Sequence, residues 1–178
     1  MKKVFIATAR HVGEHCKAWA LQNTPEGFSL TNDVNESDVI ISVMYDKIFS
    51  KDTLEGKSAY NFHPGPLPEY KGVGLSSWLI INEEKKAGVT LHEIDNNIDT
   101  GNIIEVRNFP IDDGETADSL HAKAEQHMLK MFKEWYTSLL YGKYNSVPQD
   151  NNLGKVYKKR DLEKAKDITR FIRAFQFQ

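Results

Sequence analysis

A stretch rich in proline and glycine, residues 61–72, restricts the fold of this chain more than any other feature. Its twelve residues include three prolines and two glycines. Proline lacks a backbone N–H and has a fixed φ, so the stretch predicts a rigid loop rather than a helix or a central strand. Because a short β-like run, residues 58–61, precedes the loop, we expect Asn61 and His63 at the end of a strand. Open α/β sheets bind their ligands at such strand ends.

Three side chains in and after this loop form the candidate catalytic set. Asn61 offers an amide, His63 an imidazole and Asp99 a carboxylate. Together these groups can move a proton and stabilise a negatively charged oxygen. The sequence therefore predicts proton-transfer chemistry at this loop.

The N-terminal half alternates between strand-like and helix-like patterns. Its strand candidates are the buried-type apolar runs at 3–8 and 38–45 and a weaker run at 28–31. Its helix candidates are residues 11–22, with Cys16, Trp19, Ala20 and Leu21 on the inner side, and a short helix within 46–54. This order predicts a small α/β sheet.

The second half predicts two further strands and three helices. The strand candidates are residues 89–94 and 101–110. The helix candidates are residues 74–84, with Trp78 and Ile81 turned inward, residues 117–141, and residues 161–175. Thr116 is the expected N-cap of the longest helix and Gly142 its expected stop. We expect one domain over 1–178, with the sheet core at about 1–115 and C-terminal helices at about 116–178.

The longest predicted helix carries one apolar stripe. Its members recur at helical spacing and are Leu120, Ala124, Met128, Met131, Trp135 and Leu139. We interpret the stripe first as core packing and second as a dimer surface.

Composition and charge argue against several classes of protein. The formal net charge of -2 gives no basic surface for nucleic acid. No run approaches the roughly 18 apolar residues of a membrane span. The single cysteine, Cys16, cannot form an internal disulfide and suits a reducing compartment. We therefore expect a cytoplasmic protein with no nucleic-acid or membrane partner.

The motifs around the loop resemble those of a known family. They are NFHPGPLPEYKG at 61–72, Trp78, GVTLH at 88–92 and IDNNIDTGNII at 94–104. Their order and spacing resemble the formyltransferases that use N10-formyltetrahydrofolate. The resemblance implies a single Rossmann-like, mostly parallel sheet flanked by helices, with a C-terminal helical arm.

This resemblance gives each candidate catalytic residue a role. An amine would attack the formyl carbon of the folate, and Asn61 would donate a hydrogen bond to the resulting oxyanion. His63 would polarise that oxygen or remove the amine's proton. Asp99 would orient His63, raise its pKa by charge proximity and help to carry the proton away.

The resemblance also implies a folate co-substrate, N10-formyltetrahydrofolate, held between two loops largely by backbone groups, and no metal. The candidate contacts on one side are Met44, Tyr45, Asp46 and Lys47. Those on the other side are Ile94, Asp95, Asn96 and Asn97.

Residues 72–77 and Trp78 are similar to the branches of the family that act on sugar nucleotides. The implied acceptor is the amine of a dTDP- or GDP-linked 4-amino sugar, with glycinamide ribonucleotide as its nearest rival. The N-terminal half is abbreviated, since most relatives have more chain before the catalytic loop. The end at Gln178 leaves no room for the domain with which methionyl-tRNA formyltransferases hold tRNA. The oligomeric state stays open, with a homodimer as one alternative.

Two other hypotheses remain open. A degenerate protein would bind a folate or a nucleotide without turnover, although the presence of all three candidate residues argues against it. Alternatively, His63, His92 and Asp99 would form the two-histidine, one-carboxylate metal site of a hydrolase or oxygenase. His92 by itself is interpreted as a structural histidine, and His11 with His15 as part of a solvated helix face.

Overall fold

A computed structural model describes residues 1–164 and 172–174. The strands in these ranges are β1 (Lys2–Thr8), β2 (Phe28–Thr31), β3 (Val39–Val43), β4 (Ser58–His63), β5 (Tyr70–Gly72), β6 (Lys86–Glu93), β7 (Ile103–Pro110) and β8 (Lys155–Tyr157). The α-helices are α1 (His11–Asn23), α2 (Lys51–Leu54), α3 (Leu75–Ile81) and α4 (Ala117–Leu140). None of these described helices is both long and apolar enough to cross a membrane.

Six strands form one sheet in the order β2-β1-β3-β4-β6-β7. The pairings of β1 with β2, of β1 with β3 and of β3 with β4 are parallel. The pairings of β6 with β4 and with β7 are antiparallel. All five residues of β3 are buried, which explains its continuous apolar run. The predicted α/β fold with a mostly parallel sheet is confirmed.

Helix α4 packs into the centre of the molecule against α1, α3 and β6. Its start is capped as predicted, because the Thr116 side chain accepts a hydrogen bond from the Ser119 N–H. Gly142 follows the helix with φ 64, the left-handed conformation common at helix ends. The buried members of the predicted stripe are Leu120, Ala124, Met128, Met131 and Leu139. The stripe therefore belongs to the chain's own core, as its first interpretation stated.

One residue expected on an inner face was predicted wrongly. Leu21 is 70% exposed. Helix α1 turns Val12, Cys16 and Ala20 toward the core, and Leu21, the residue after Ala20, therefore lies on a different side of the helix. Trp135 is half-buried and packs against the core, in agreement with the prediction, and its indole N–H donates to Glu105. In α3, the half-buried Trp78 and Ile81 flank the more deeply buried Leu75, Leu79 and Ile80.

A second, two-stranded sheet was absent from the prediction. It pairs β5, at the end of the proline-rich loop, with β8 in parallel register. Beyond β8, Lys159–Lys164 form a 3-10 helix rather than the predicted start of an α-helix. Residues 172–174 are helical, and the remainder of the helix predicted at 161–175 lies outside the described residues.

The buried face of α4 predicts a large loss of stability on truncation. Leu120 is 1% exposed, so Leu120→Ala is expected to lower the free energy of unfolding by about 2–5 kcal/mol. The same substitution at Leu21, which is 70% exposed, should change it by less than about 0.5 kcal/mol. Urea unfolding followed by circular dichroism measures both. Equal losses in the two variants would contradict the assignment of α4 to the core.

Candidate active site

The candidate catalytic residues meet at one end of the sheet. Asn61 and His63 lie on β4, directly beside β6, where Asn61 pairs with His92 and His63 with Thr90. Asp99 lies on the loop between β6 and β7 with φ 53, a conformation that residues other than glycine rarely adopt. The loop thereby turns the Asp99 carboxylate toward the end of β4. The structure brings together the trio that the sequence predicted.

A cavity of about 650 Å³ opens at this end of the sheet, and the trio lies in its wall. Seven of the eight predicted folate contacts also line it, namely Met44, Tyr45, Asp46, Lys47, Ile94, Asp95 and Asn97. The eighth, Asn96, is exposed on the same loop and does not line the cavity. The cavity therefore lies between the two loops that were expected to flank a ligand.

Asp99 is the hub of the site. Its Oδ2 atom accepts a hydrogen bond from the Gly72 N–H at 2.8 Å and lies 3.5 Å from His63 Nδ1. Its Oδ1 atom lies 3.5 Å from Asn61 Nδ2 and 3.6 Å from His92 Nε2. The Asp99 carboxylate therefore lies close to the Gly72 N–H and to the side chains of Asn61, His63 and His92.

The hydrogen bonds of His63 fix its tautomer. Nε2 lies 2.7 Å from the carbonyl oxygen of Tyr70, which can only accept a hydrogen bond. Nε2 must therefore carry the proton, and Nδ1 presents a lone pair on the side of Asp99. A proton taken up at Nδ1 would form an ion pair with the carboxylate.

Burial controls the charge states of this pair. His63 is 2% exposed, and this burial lowers its pKa below 6.5 despite the opposing charge of Asp99, while neighbouring His92 lowers it further. The expectation that Asp99 raises the pKa of His63 by charge proximity is confirmed, but desolvation exceeds this charge effect, so the net shift is downward. Burial alone would raise the pKa of Asp99, but His63, His92 and the Gly72 N–H together hold it well below its usual value.

These shifts predict the pH dependence of the site. His63 can accept a proton only when Nδ1 is free, and a lowered pKa keeps it free at lower pH. The acidic limb of kcat/KM for a reaction in which His63 takes up a proton is therefore expected to have its midpoint below 6.5. Asp99→Asn removes the charge that raises the pKa of His63, so it should move the midpoint lower still. A midpoint above 6.5 in the wild type would contradict this assignment.

His92, interpreted from the sequence as structural, contacts the trio. Its Nδ1 atom donates to the Glu93 carbonyl at 2.6 Å, which leaves Nε2 to accept from Asn61 Nδ2 at 3.1 Å. This bond uses one of the two N–H groups of Asn61 and fixes the orientation of its amide. The contact between His92 and Asn61 depends on the pairing of β6 with β4. That pairing cannot be predicted from the sequence of either strand alone.

Gln149 is a second residue that sequence reasoning missed. Its Nε2 atom donates to the carbonyls of Asp99 at 3.0 Å and Gly101 at 2.6 Å. Its Oε1 atom is buried and has no hydrogen-bond partner within the described part of the chain. Gln149 thus clamps the loop that holds Asp99. No local pattern in the sequence marks it, because the contact spans the whole of β7 and α4.

The other histidines considered in the sequence lie away from the site. His11 and His15 are exposed on α1, as predicted. Cys16 lies on the buried face of the same helix. Its burial raises the pKa of the thiol to about 12. The thiol is therefore neutral and unreactive at physiological pH.

Comparison with known proteins supports the resemblance. A model of the formyl transferase family matches residues 11–135. The bifunctional polymyxin resistance protein ArnA of Wigglesworthia glossinidia brevipalpis is 31% identical over 125 residues, which are 69% of this chain and 19% of that protein. The methionyl-tRNA formyltransferase of Caldanaerobacter subterraneus subsp. tengcongensis is 31% identical over 126 residues, or 70% of this chain and 40% of that protein. The chain thus spans less than half the length of either relative.

A solved structure extends the similarity to the whole fold. It is the N-formyltransferase of Helicobacter canadensis in complex with folinic acid and dTDP-3-aminofucose. The TM-score is 0.86 at 26% sequence identity, and the match covers 99% of this chain and 81% of that one. The family model, which covers well over half of the sequence, includes the loop with Asn61 and His63 and the loop with Asp99. The chain belongs to the formyl transferase family.

Proposed function

We propose that this protein transfers the formyl group of N10-formyltetrahydrofolate to the primary amine of an amino-sugar nucleotide, most specifically a dTDP- or GDP-linked 4-amino sugar. The observation that carries the proposal is the convergence of Asn61, His63 and Asp99 on one cavity wall. These three side chains match the needs of formyl transfer to an amine. The reaction creates a negative oxygen and a positive nitrogen at once, and both must be stabilised.

The site would act in two steps. The amine attacks the formyl carbon, and Asn61 Nδ2 donates a hydrogen bond to the oxygen that becomes negative. His63 Nδ1 takes a proton from the attacking nitrogen, directly or through water, and Asp99 stabilises the resulting imidazolium. The bond between the formyl carbon and N10 then breaks, N10 takes up the proton, and tetrahydrofolate leaves.

The folate would lie between residues 44–47 and 94–97. Both segments line the cavity, and both follow strands that end beside the trio. The solved relative with folinic acid bound supports a folate in this fold. The mechanism requires no metal ion.

The lining of the cavity also suits a nucleotide. Arg10, Lys158 and Lys159 line it together with Ser76 and Ser77, so cations and hydroxyl donors are available for a diphosphate. The solved relative that holds dTDP-3-aminofucose supports an amino-sugar nucleotide as the class of acceptor. A homodimer and a cytoplasmic location stay predictions.

The test is the release of tetrahydrofolate, followed by absorbance, with a panel of amines. The panel contains dTDP- and GDP-linked 4-amino and 3-amino sugars and glycinamide ribonucleotide, and His63→Ala serves as the control. We expect release only with an amino-sugar nucleotide, and no release in the variant. Release with glycinamide ribonucleotide alone would show that the acceptor is glycinamide ribonucleotide and not an amino-sugar nucleotide. Folate binding without release for any amine would favour the degenerate binding protein.

A further inference from the structure

Two buried histidines in the site direct lone pairs toward the same carboxylate. The proton on His63 is at Nε2, which donates to the Tyr70 carbonyl, and that on His92 is at Nδ1, which donates to the Glu93 carbonyl. The opposite nitrogens, His63 Nδ1 and His92 Nε2, are therefore unprotonated in the neutral rings. Histidines that bind metal ions are held by the same kind of outer hydrogen bond.

Asp99 completes a set of three ligand atoms. Its oxygens lie 3.5 Å from His63 Nδ1 and 3.6 Å from His92 Nε2. All three ligand atoms lie within 4.8 Å of one another, and no other set of three such side chains meets that condition in the described ranges. Both histidines are 2% exposed, so the set is held rigidly in the core.

We propose that His63, His92 and Asp99 form a binding site for Zn²⁺, and that the bound ion reversibly inhibits the protein. Two imidazoles and one carboxylate are a common zinc ligand set, with bonds of about 2.0–2.2 Å. The two ring nitrogens lie within 4.8 Å of each other, and the side chains would adjust to reach the bond lengths of a tetrahedral site.

Asn61 can supply the fourth ligand. Its Nδ2 atom now lies 3.1 Å from His92 Nε2 and 3.5 Å from Asp99 Oδ1. A half-turn of the amide exchanges Nδ2 for Oδ1 with almost no change of shape. The ion would then face an oxygen atom instead of an N–H donor, and the site would reach four-coordination.

Zinc in this position removes both catalytic functions. The ion occupies the lone pair with which His63 accepts a proton, and the turned Asn61 no longer donates to the oxyanion. The inhibition therefore rests on the proposed function, whereas metal binding does not. Binding and inhibition are tested separately for this reason.

Binding is measured with Co²⁺, whose visible absorption reports tetrahedral coordination, and with Zn²⁺ by calorimetry, on chelator-treated protein. We expect one ion per chain. His92→Asn should weaken binding by about 100-fold or more, since even an outer-shell partner contributes 10–100-fold. His121→Asn, which changes a half-exposed histidine of the same cavity outside the ligand set, should leave binding unchanged.

Thermal unfolding shows whether each variant is folded. If His92→Asn is unstable, Asp99→Asn serves as a second variant that lacks one of the proposed ligands. Zn²⁺ should raise the Tm of the wild type and not that of either variant. Wild-type protein that shows neither the cobalt spectrum nor a Zn²⁺-dependent Tm would overturn the proposal. So would variants that bind as tightly as the wild type.

Inhibition is measured by adding Zn²⁺ and then chelator to the formyl-transfer assay. We expect activity to fall with Zn²⁺ and to return with chelator. Activity that persists at saturating Zn²⁺ would overturn the inhibition and leave the proposed function intact. Metal binding in a protein without formyl transfer would instead refute the proposed function. Loss of activity on chelation would overturn the inhibition and favour the metal-dependent alternative.

Discussion

Replacing His63 with asparagine is expected to lower kcat for formyl transfer by about 100- to 10,000-fold. His63 Nδ1 is the lone-pair nitrogen that faces Asp99 at 3.5 Å, and asparagine has no group that takes up a proton at neutral pH. The proton is transferred as the transition state forms, so kcat should fall far more than KM for the folate rises. Steady-state kinetics with the best acceptor of the panel measures both constants.

The matched control is His15→Asn, the same chemical change on the exposed face of α1. Its kcat should stay within about twofold of the wild type, as for most surface substitutions. Circular dichroism and thermal unfolding show whether each variant is folded. A folded His63→Asn protein with kcat within tenfold of the wild type would remove His63 from the role of base.

Asp99→Asn is the second substitution with a large expected effect. The asparagine keeps the size of the side chain and an oxygen that can accept from the Gly72 N–H, but it loses the negative charge. The imidazolium of His63 would then form in the core without a partner, which costs about 3–5 kcal/mol, or roughly 150- to 5,000-fold in kcat. Single-turnover kinetics at saturating folate measures the loss in the chemical step.

Asp113→Asn is the control for this change, because Asp113 is exposed in the turn before α4. It should leave the single-turnover rate unchanged. An Asp99→Asn protein that reacts at the wild-type rate would show that Asp99 only holds the loop. A loss confined to KM would lead to the same conclusion.

The main sheet and the longest helix could be predicted because their signals are local. β3 is buried on both faces and therefore appears as a continuous apolar run. Helix α4 buries one face along its length, so its stripe has helical spacing and its capping residue stands directly before it. The direction of Leu21 was not predictable in this way, since it depends on what lies opposite the side chain.

The second sheet could not be predicted for the opposite reason. Its two strands have three residues each, too few for a pattern, and they pair across most of the second half of the chain. For a similar reason Gln149 was missed as part of the site, and His92 was joined to His63 and Asp99 only in the alternative metal site. Each contributes through a partner that is distant in sequence, namely the Asp99 loop and Asn61.

The direction of the net pKa shift of His63 could also not be predicted from the sequence. A neighbouring carboxylate follows from the motif, and its effect on the pKa has the predicted sign. The depth of burial follows only from the packing of β4 between β3 and β6. Desolvation at that depth outweighs the carboxylate, and the net shift changes sign.

The most direct test of formyl transfer follows the formyl group itself. N10-formyltetrahydrofolate labelled in the formyl carbon is incubated with the protein, the panel of amino-sugar nucleotides and an extract of small metabolites, and the label is traced by mass spectrometry. We predict that the label appears as a formamide on an amino-sugar nucleotide with the wild type and not with His63→Asn. Label that stays on the folate, or leaves it only as formate, while the protein is folded and binds folate would contradict the account.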